Sequence, residues 1–343
     1  MKKIKLLTPL LFCQYSDFLN KQKAGLFYYS IKFKQFLEEV LKCNAEYYVV
    51  TENNNISAIL PTMSKKGKYG KVINSLPFYG SHGGILYDDV ESFDMLLKFY
   101  SNRIIVQSGT ASSVLINNPL MEADYSRISY DLIDERIGQF TYLDCDDKQK
   151  ADKFVFGKIH SKTRNMIRKA IKCNIKVEIS CDEMEFLKVT HKENMIAIEG
   201  KSKKDVFFDK INDYFVKNQD YKIYLATYEG EKVAALLLFY YNGCVEYFTP
   251  VIVQEFRSYQ PLSLLIFQAM IDAIKSGYNI WNWGGTWLSQ KGVYKFKKKW
   301  GVIDKKYFHY INIANKELFC ANKRELVNEY DDFYVIPFDK LQE

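Results

Sequence analysis

The chain has 343 residues, 48% of them hydrophobic and 26% charged, which is enough to build about two domains at roughly 100 to 200 residues each. That balance excludes a collagen-like chain, a disordered one and a small disulfide scaffold. Lys plus Arg number 48 against 41 acidic residues, a net charge of +7, which suits a phosphate-bearing partner but follows equally from a composition rich in Lys and Asn.

The start, MKKIKLLTPLLFCQYSD, is basic with a short apolar run. Pro9 interrupts that run and bulky Phe12 sits where signal cleavage needs a small residue, so the segment reads as a first β-strand. Residues 46–63, EYYVVTENNNISAILPTM, alternate apolar and polar around an Asn-rich turn, a hairpin signal. The strand-like VINSLPFYGSHGGILY, the helical VESFDMLLKFYS and the β-like RIIVQS follow. From about Asp146 to Cys173 the chain reads as helical, with Thr163, Ile167, Ala170 and Ile171 on an apolar face and Arg164, Arg168 and Lys172 on another. A loop around Gly200 and a second amphipathic helix come next.

Residues 221–240, YKIYLATYEGEKVAALLLFY, repeat the hairpin design around Glu229 and Gly230, and VEYFTPVIV, PLSLLIFQAMIDAIKSG and IWNWGG repeat the strand, helix and β-like run. The two units lie about 175 residues apart, and such self-similarity constrains architecture before any motif does. Beyond Gly301 come a strand-like VIDKKYFHYINIA and a helical or irregular tail. The longest apolar stretch, Val233 to Tyr241, is half of the roughly 18 residues a membrane span requires.

Seven cysteines, Cys13, Cys43, Cys145, Cys173, Cys181, Cys244 and Cys320, never form a C-x-x-C or Cys/His ligand spacing. The expectation is a reducing, cytoplasmic setting with no metal and no tightly bound cofactor. Four histidines share no neighbourhood with a nucleophile motif, and Walker, G-x-G-x-x-G, G-x-S-x-G and H-E-x-x-H patterns are missing. A reaction that needs no side-chain nucleophile is favoured. Transfer of an activated acyl group to an amine is one, because the protein then positions both partners and stabilises the oxyanion.

Basic charge gathers in two runs, seven residues from Lys158 to Lys176 and seven from Lys291 to Lys306. Such a run usually marks a solvated face; the alternative is a surface for pyrophosphate or tRNA. Tyr79, Tyr247, Trp281, Trp283 and Trp287 flank Gly-rich segments and either stack on a sugar or base or belong to the core. His82, beside Gly83 and Gly84, is a hydrogen-bonding candidate or a satisfied loop histidine.

SKTRNMIRKA, KVAALLLFY, FRSYQPLSLLIFQAMIDAIKSGY, NWGGT and YKFKKKWG occur in that order, and together they resemble the second domain of the Fem-type (FemA/FemB) peptidoglycan aminoacyl transferases. AGLFYYSIKFKQFL and NSLPFYGSHGGIL resemble parts of the family's first domain. The resemblance implies an α/β fold of two tandem GNAT-like (acyl-CoA N-acyltransferase) domains, each a mixed, mostly antiparallel sheet flanked by helices, at 1–145 and 146–343. It implies an acyltransferase moving an acyl or aminoacyl group from acyl-CoA or aminoacyl-tRNA, as co-substrate, to an amine of a phosphate-bearing envelope precursor. Phe296 and Lys297 match the family's Phe-Lys pair, which makes Lys297 the catalytic candidate.

Donor binding falls to Arg257, Ser258 and Gln260 before Pro261, and to Gly284, Gly285 and Thr286. Acceptor binding falls to Lys201, Lys203 and Lys204, to Arg164 and Arg168, and to Tyr247, Phe296 and Tyr79. FRSYQPLS has no glycine, unlike the coenzyme A loop of the acetyl-CoA-binding relatives, which tilts the donor towards tRNA. The compact chain is most like polysaccharide-associated relatives and is compatible with peripheral membrane contact; the sequence leaves the oligomeric state open. The competing class is a non-catalytic nucleic-acid or polysaccharide-binding protein on a degenerate GNAT fold.

Overall fold

The structure is a computed structural model that describes residues 1–77 and 82–341; Tyr79 lies outside them. The chain divides into two compact units, residues 1–137 with 305–343, and residues 138–304. Among the described residues, no helix is long and apolar enough to cross a membrane.

The first unit contains β1 (Lys3–Leu6), α1 (Phe12–Lys21), α2 (Ile31–Leu41), β2 (Asn44–Ala45), β3 (Tyr48–Glu52), β4 (Asn55–Leu60), β5 (Met63–Gly67), β6 (Gly70–Asn74), β7 (Leu86–Tyr87), α3 (Val90–Phe99), β8 (Thr110–Ile116) and most of β9 (Leu132–Tyr142). The strand expected at the start is only β1, and Phe12 begins a helix. The expected hairpin forms between β3 and β4 on Asn53 and Asn54, both at positive φ, where asparagine is tolerated and the twist matches a two-residue turn. The order β1-β3-β4-β7 makes one sheet. RIIVQS is not a strand: the helix of α3 continues through residues 100–104, burying Tyr100 and Ile104, and β8 starts at Thr110.

The second unit contains α4 (Ala151–Lys158), α5 (Ser161–Lys172), β10 (Lys176–Ile179), α6 (Met184–Ile196), α7 (Asp205–Asp209), α8 (Ile211–Tyr214), β11 (Tyr221–Tyr228), β12 (Glu231–Tyr241), β13 (Cys244–Ile252), α9 (Pro261–Lys275), β14 (Ile280–Trp287) and α10 (Lys291–Lys298). The final elements are β15 (Ile303–Ile313), which begins in this unit, and α11 (Lys323–Glu329). Residues 305–343, expected with the second domain, group with the first unit. There β15 pairs antiparallel with β8 from His309 to Ile313, and Asn74 holds both the N–H and the carbonyl of Tyr334.

In the second unit the strand order is β10-β11-β12-β13-β14, antiparallel up to β13 and parallel between β13 and β14. Both tight turns rest on positive φ, at Glu229-Gly230 and Asn242-Gly243, as the alternation predicts. Val233 and the even-numbered Ala234 to Tyr240 of β12 join Val245 in a core with α4, α5 and α9. Helix α5 buries Thr163, Ile167 and Ala170, whereas Ile171, expected on that face, is exposed.

Helix α9 buries residues all round, including Leu264, Leu265, Ile266, Ala269 and Met270, so it is the element on which this core depends. Leu265→Ala is expected to lower unfolding free energy by about 2 to 5 kcal/mol through lost burial and a residual cavity, read by chemical denaturation; an unchanged midpoint would contradict this packing.

Candidate active site

The site begins with a failure of two strands to stay paired. Strands β13 and β14 match only from Cys244, Val245 and Glu246 to Ile280, Trp281 and Asn282, although each runs further. A bulge shifts the β12–β13 register at Leu237/Leu238, leaving Phe248 as the extra residue, and bulges bend and twist the strand that carries them. The result is a wedge between the ends of β13 and β14. At its β14 side Gly284 has φ 73°, and among the described residues no atom beyond its chain neighbours lies within 4 Å of where a Cβ would be, so backbone is open to an incoming group there.

The N–H of Gly284 is not spare. It donates to Asn282 Oδ1 at 2.9 Å. A donor for an oxyanion at this point therefore comes from elsewhere, and Lys297 is the group in place. It is the one buried residue of α10, 6% exposed, whereas Lys291, Lys295 and Lys298 are exposed. Its Nζ donates to the Gly285 carbonyl at 3.2 Å and to Thr286 Oγ1 at 2.9 Å. Thr286 donates on to Gln139 Oε1 at 2.9 Å, and Gln139 Nε2 donates to Asp304 at 3.2 Å. Asp304 also takes Tyr294 Oη and Lys298 Nζ, each at 2.7 Å. The Lys298 competitor is thus occupied by a surface ion pair, and Lys295 points outward.

Burial lowers the Lys297 ammonium from 10.5 to about 7, because a charge removed from water is disfavoured unless it is compensated. Perturbed titration of this kind, in a buried lysine hydrogen-bonded next to open backbone, marks a functional candidate. Phe296 packs between Trp283 and Trp300, with ring centroids at 6.2 and 6.5 Å, and so anchors the helix that aims Lys297. Tyr247 lies 4.8 Å from Trp283 and 6.3 Å from Trp281 in an aromatic cluster on the core side, and burial pushes its hydroxyl pKa up. Trp281 and Trp283 are buried core residues.

The other expected residues are distributed. Arg257 and Ser258 are exposed in the turn before α9. Gln260 takes the left-handed conformation at φ 63° directly before Pro261, a conformation for which glycine is better suited. Lys201 and Lys204 are exposed, but Lys203 is buried, with Nζ 5.4 Å over the Phe248 ring and 6.0 Å over Phe207. Its backbone N–H donates to His191 Nε2, and burial lowers the lysine to about 7 and the histidine to about 4. The three lysines are therefore not one surface cluster. Arg164 donates to the carbonyls of Ile159 and Phe156 at the end of α4, a helix-capping task. Arg168 bonds Asn165 and lies 5.0 Å over Phe156.

Sequence reasoning missed Glu246, Asn282, Thr249 and Gln139, all buried. Register puts Glu246 opposite Asn282 and Phe239, and Thr249 opposite Leu237, so they share the sheet face away from α9. Among the described residues, Asn282 Nδ2 and Thr249 Oγ1 have no hydrogen-bond partner. An acid inside the mostly apolar CVEYFTP was the available signal.

Residues 224–308 match the FemAB family. Over this segment the chain is similar to that family. The structure described as FemX superposes with a TM-score of 0.69 at 14% identity, over 92% of this chain and 98% of that one. A tandem GNAT protein from the clavulanic acid biosynthesis pathway gives 0.53 at 10% identity, over 92% and 99%. L-PGS from Bacillus licheniformis gives 0.51 at 13%, over 84% and 92%. No curated protein matches the chain in sequence. These likenesses establish the expected fold, tandem GNAT-like units of mostly antiparallel sheet flanked by helices. The FemAB-like segment contains Tyr247, Arg257, Ser258, Gln260, Gly284, Gly285, Thr286, Phe296 and Lys297, whereas Arg164, Arg168, Lys201, Lys203 and Lys204 precede it.

The buried lysine also predicts a stability signature. Its folded pKa near 7 lies below its unfolded value, so the unfolded chain holds more protons from pH 7 to about 10.5 and stability rises with pH across that window. Below pH 7 the burial cost is fully present. Lys297→Met is expected to flatten this rise by up to about 1.4 kcal/mol per pH unit, measured by denaturation at pH 6, 8 and 9.5; an unchanged slope would place the ammonium in water.

Proposed function

We propose that this FemAB-like protein transfers an acyl or aminoacyl group from an activated donor to an amine of a phosphate-bearing cell-envelope precursor. The observation that carries the proposal is Lys297, buried against Gly285 and Thr286 of β14, past the last residue paired with β13, within the segment that matches the family. In this reading the acceptor amine attacks the donor's thioester or ester carbonyl. The new C–N bond forms, the C–S or C–O bond breaks, and the amine's proton is released with the leaving thiol or hydroxyl. Charge on the carbonyl oxygen during that exchange is what Lys297 offsets, and a group fixed in advance does so without reorganisation.

The donor's phosphates fit the start of α9, where Arg257, Ser258 and Gln260 precede a helix opened by Pro261 and without a side-chain cap. A helix N-terminus favours anions. Lys201 and Lys204 are exposed for acceptor phosphates. Arg164 is committed to the end of α4 and contributes through the placement of α5. The donor is acyl-CoA or aminoacyl-tRNA as co-substrate, and the glycine-free FRSYQPLS favours tRNA. Thermal-shift and native mass spectrometry with acetyl-CoA, longer acyl-CoAs and charged tRNA separate the two, since a specific ligand raises apparent stability. Silence from every donor would favour the non-catalytic binding protein instead.

With the donor so identified, Lys297→Ala is expected to lower kcat by about 10² to 10³, the cost of removing one oxyanion donor. Because Lys297 loses its proton near pH 7, kcat/KM is expected to fall as pH rises through that value. Lys297→Arg should remove that limb even at reduced rate. A profile that climbs through pH 7 would make the lysine a base and contradict the assignment.

A further inference from the structure

A line of hydrogen bonds leads from Lys297 across three neighbouring strands, β14, β9 and β15, to a carboxylate. Thr286 stands on β14, Gln139 on β9 and Asp304 on β15. Lys297 Nζ donates to Thr286 Oγ1, Thr286 donates to Gln139 Oε1, and Gln139 Nε2 donates to Asp304 Oδ1. Helix α10 meets the line at both ends, with Lys297 on Thr286 and with Tyr294 and Lys298 on Asp304 Oδ2. Residues three and four apart in a helix share a face, so one side of α10 carries all three. Every one of these residues belongs to the second unit.

The direction of the line is fixed at its far end. An ionised carboxylate only accepts, so Gln139 turns its NH2 to Asp304 and its carbonyl to Thr286. Thr286 then gives its hydroxyl proton to Gln139 and has only lone pairs left for Lys297. Gln139 and Thr286 are both buried, where a donor facing a donor is left unsatisfied at full cost. Burial alone would raise the Asp304 carboxyl, but hydrogen bonds from Lys298, Tyr294 and Gln139 outweigh it and hold the group below its ordinary value. The carboxylate is therefore ionised at neutral pH.

We propose that Asp304 and Gln139 are positioning residues for the transfer site: the carboxylate, acting through the Gln139 amide and the Thr286 hydroxyl, holds Lys297 as a hydrogen-bond donor. Without an end that only accepts, the order reverses. With asparagine at position 304, its amide donates to Gln139 Oε1, Gln139 turns its NH2 to Thr286, and the Thr286 hydroxyl donates to Lys297. A lysine nitrogen accepts only as the neutral amine. The charge that offsets a developing oxyanion is then lost without any change at Lys297 itself; that consequence rests on the transfer reading above.

Positioning is measured without turnover, so its outcome is independent of that reading. In the full chain labelled with ¹³C at lysine Cε, the Lys297 midpoint, near 7 in the unaltered protein, is followed in variants expected to move it in opposite directions. Asp304→Asn lowers it by about one pH unit, a tenfold change in proton affinity. Gln139→Glu raises it, because an acceptor is kept against Thr286 and negative charge comes one hydrogen bond closer. Loss of packing alone does not split the two signs. Thr286→Val breaks the line, and in that background Asp304→Asn no longer moves the midpoint. Asp209→Asn removes an equal charge from the Lys188 pair elsewhere in the second unit and leaves the midpoint in place. Should Asp304→Asn fail to fold, Gln139→Glu and Gln139→Leu carry the same test, the first raising the midpoint and the second lowering it. Midpoints unmoved by these variants, or moved the same way by Asp304→Asn and Gln139→Glu, overturn the proposal. With an acyl donor in hand, the falling limb of kcat/KM follows the midpoint, and Asp304→Asn lowers kcat/KM at pH 7 about fivefold. A midpoint that moves while the rate profile stays put leaves the positioning standing and counts against the transfer reading.

Discussion

The second unit is organised around a lysine ammonium held out of water. Lys297 lies against β14 beyond the last residue that pairs with β13, and its hydrogen bonds go to a carbonyl and a hydroxyl rather than to a carboxylate. Such a placement is costly to a folded protein. It persists because α10 is pinned by Phe296 and Trp300 against Trp283, and because Thr286 is itself fixed by Gln139. A lysine kept near the midpoint of its titration responds strongly to any anion that arrives beside it, and that responsiveness suits a group meant to meet charge as it develops.

The wedge has its own cause. Pairing is antiparallel from β10 to β13, and the Phe248 bulge breaks the regularity of β13 where its parallel partner also departs. Phe248 stacks on Phe207 and meets Phe239 edge-on, so the bulge is packed rather than loose. The same distortion turns Glu246 and Thr249 to one face together. Asn194, reaching from α6 to both backbone groups of Ile252, closes hydrogen bonds that a paired neighbour would otherwise satisfy.

Much of the second unit was legible because its signals are local. Alternation around Glu229-Gly230 gave the hairpin, and Pro261 gave the start of α9. The first copy was harder to read: β7 has only two residues, and RIIVQS, apolar and β-branched, continues a helix because Tyr100 and Ile104 fall one turn apart and are both buried. The return of residues 305–343 to the first unit depends on the pairing of β15 with β8, and no local pattern encodes a partner so distant in sequence. For the same reason Lys297 emerged from its motif, while Gln139, separated from Thr286 by 147 positions, did not. Val293, Tyr294 and Phe296 of α10 are residue types that also suit a strand, and the helix's burial of a single lysine comes from packing.

Direct titration tests the burial of the Lys297 ammonium and its half-neutral state near physiological pH. In protein labelled with ¹³C at lysine Cε, the Lys297 resonance, assigned by its loss in Lys297→Arg, is followed from pH 5 to 11. A midpoint near 7, rising on addition of an anionic donor fragment, is the predicted result. A midpoint near 10.5, the value of a solvated lysine, would show that the site is open to water and that Lys297 is an ordinary surface charge.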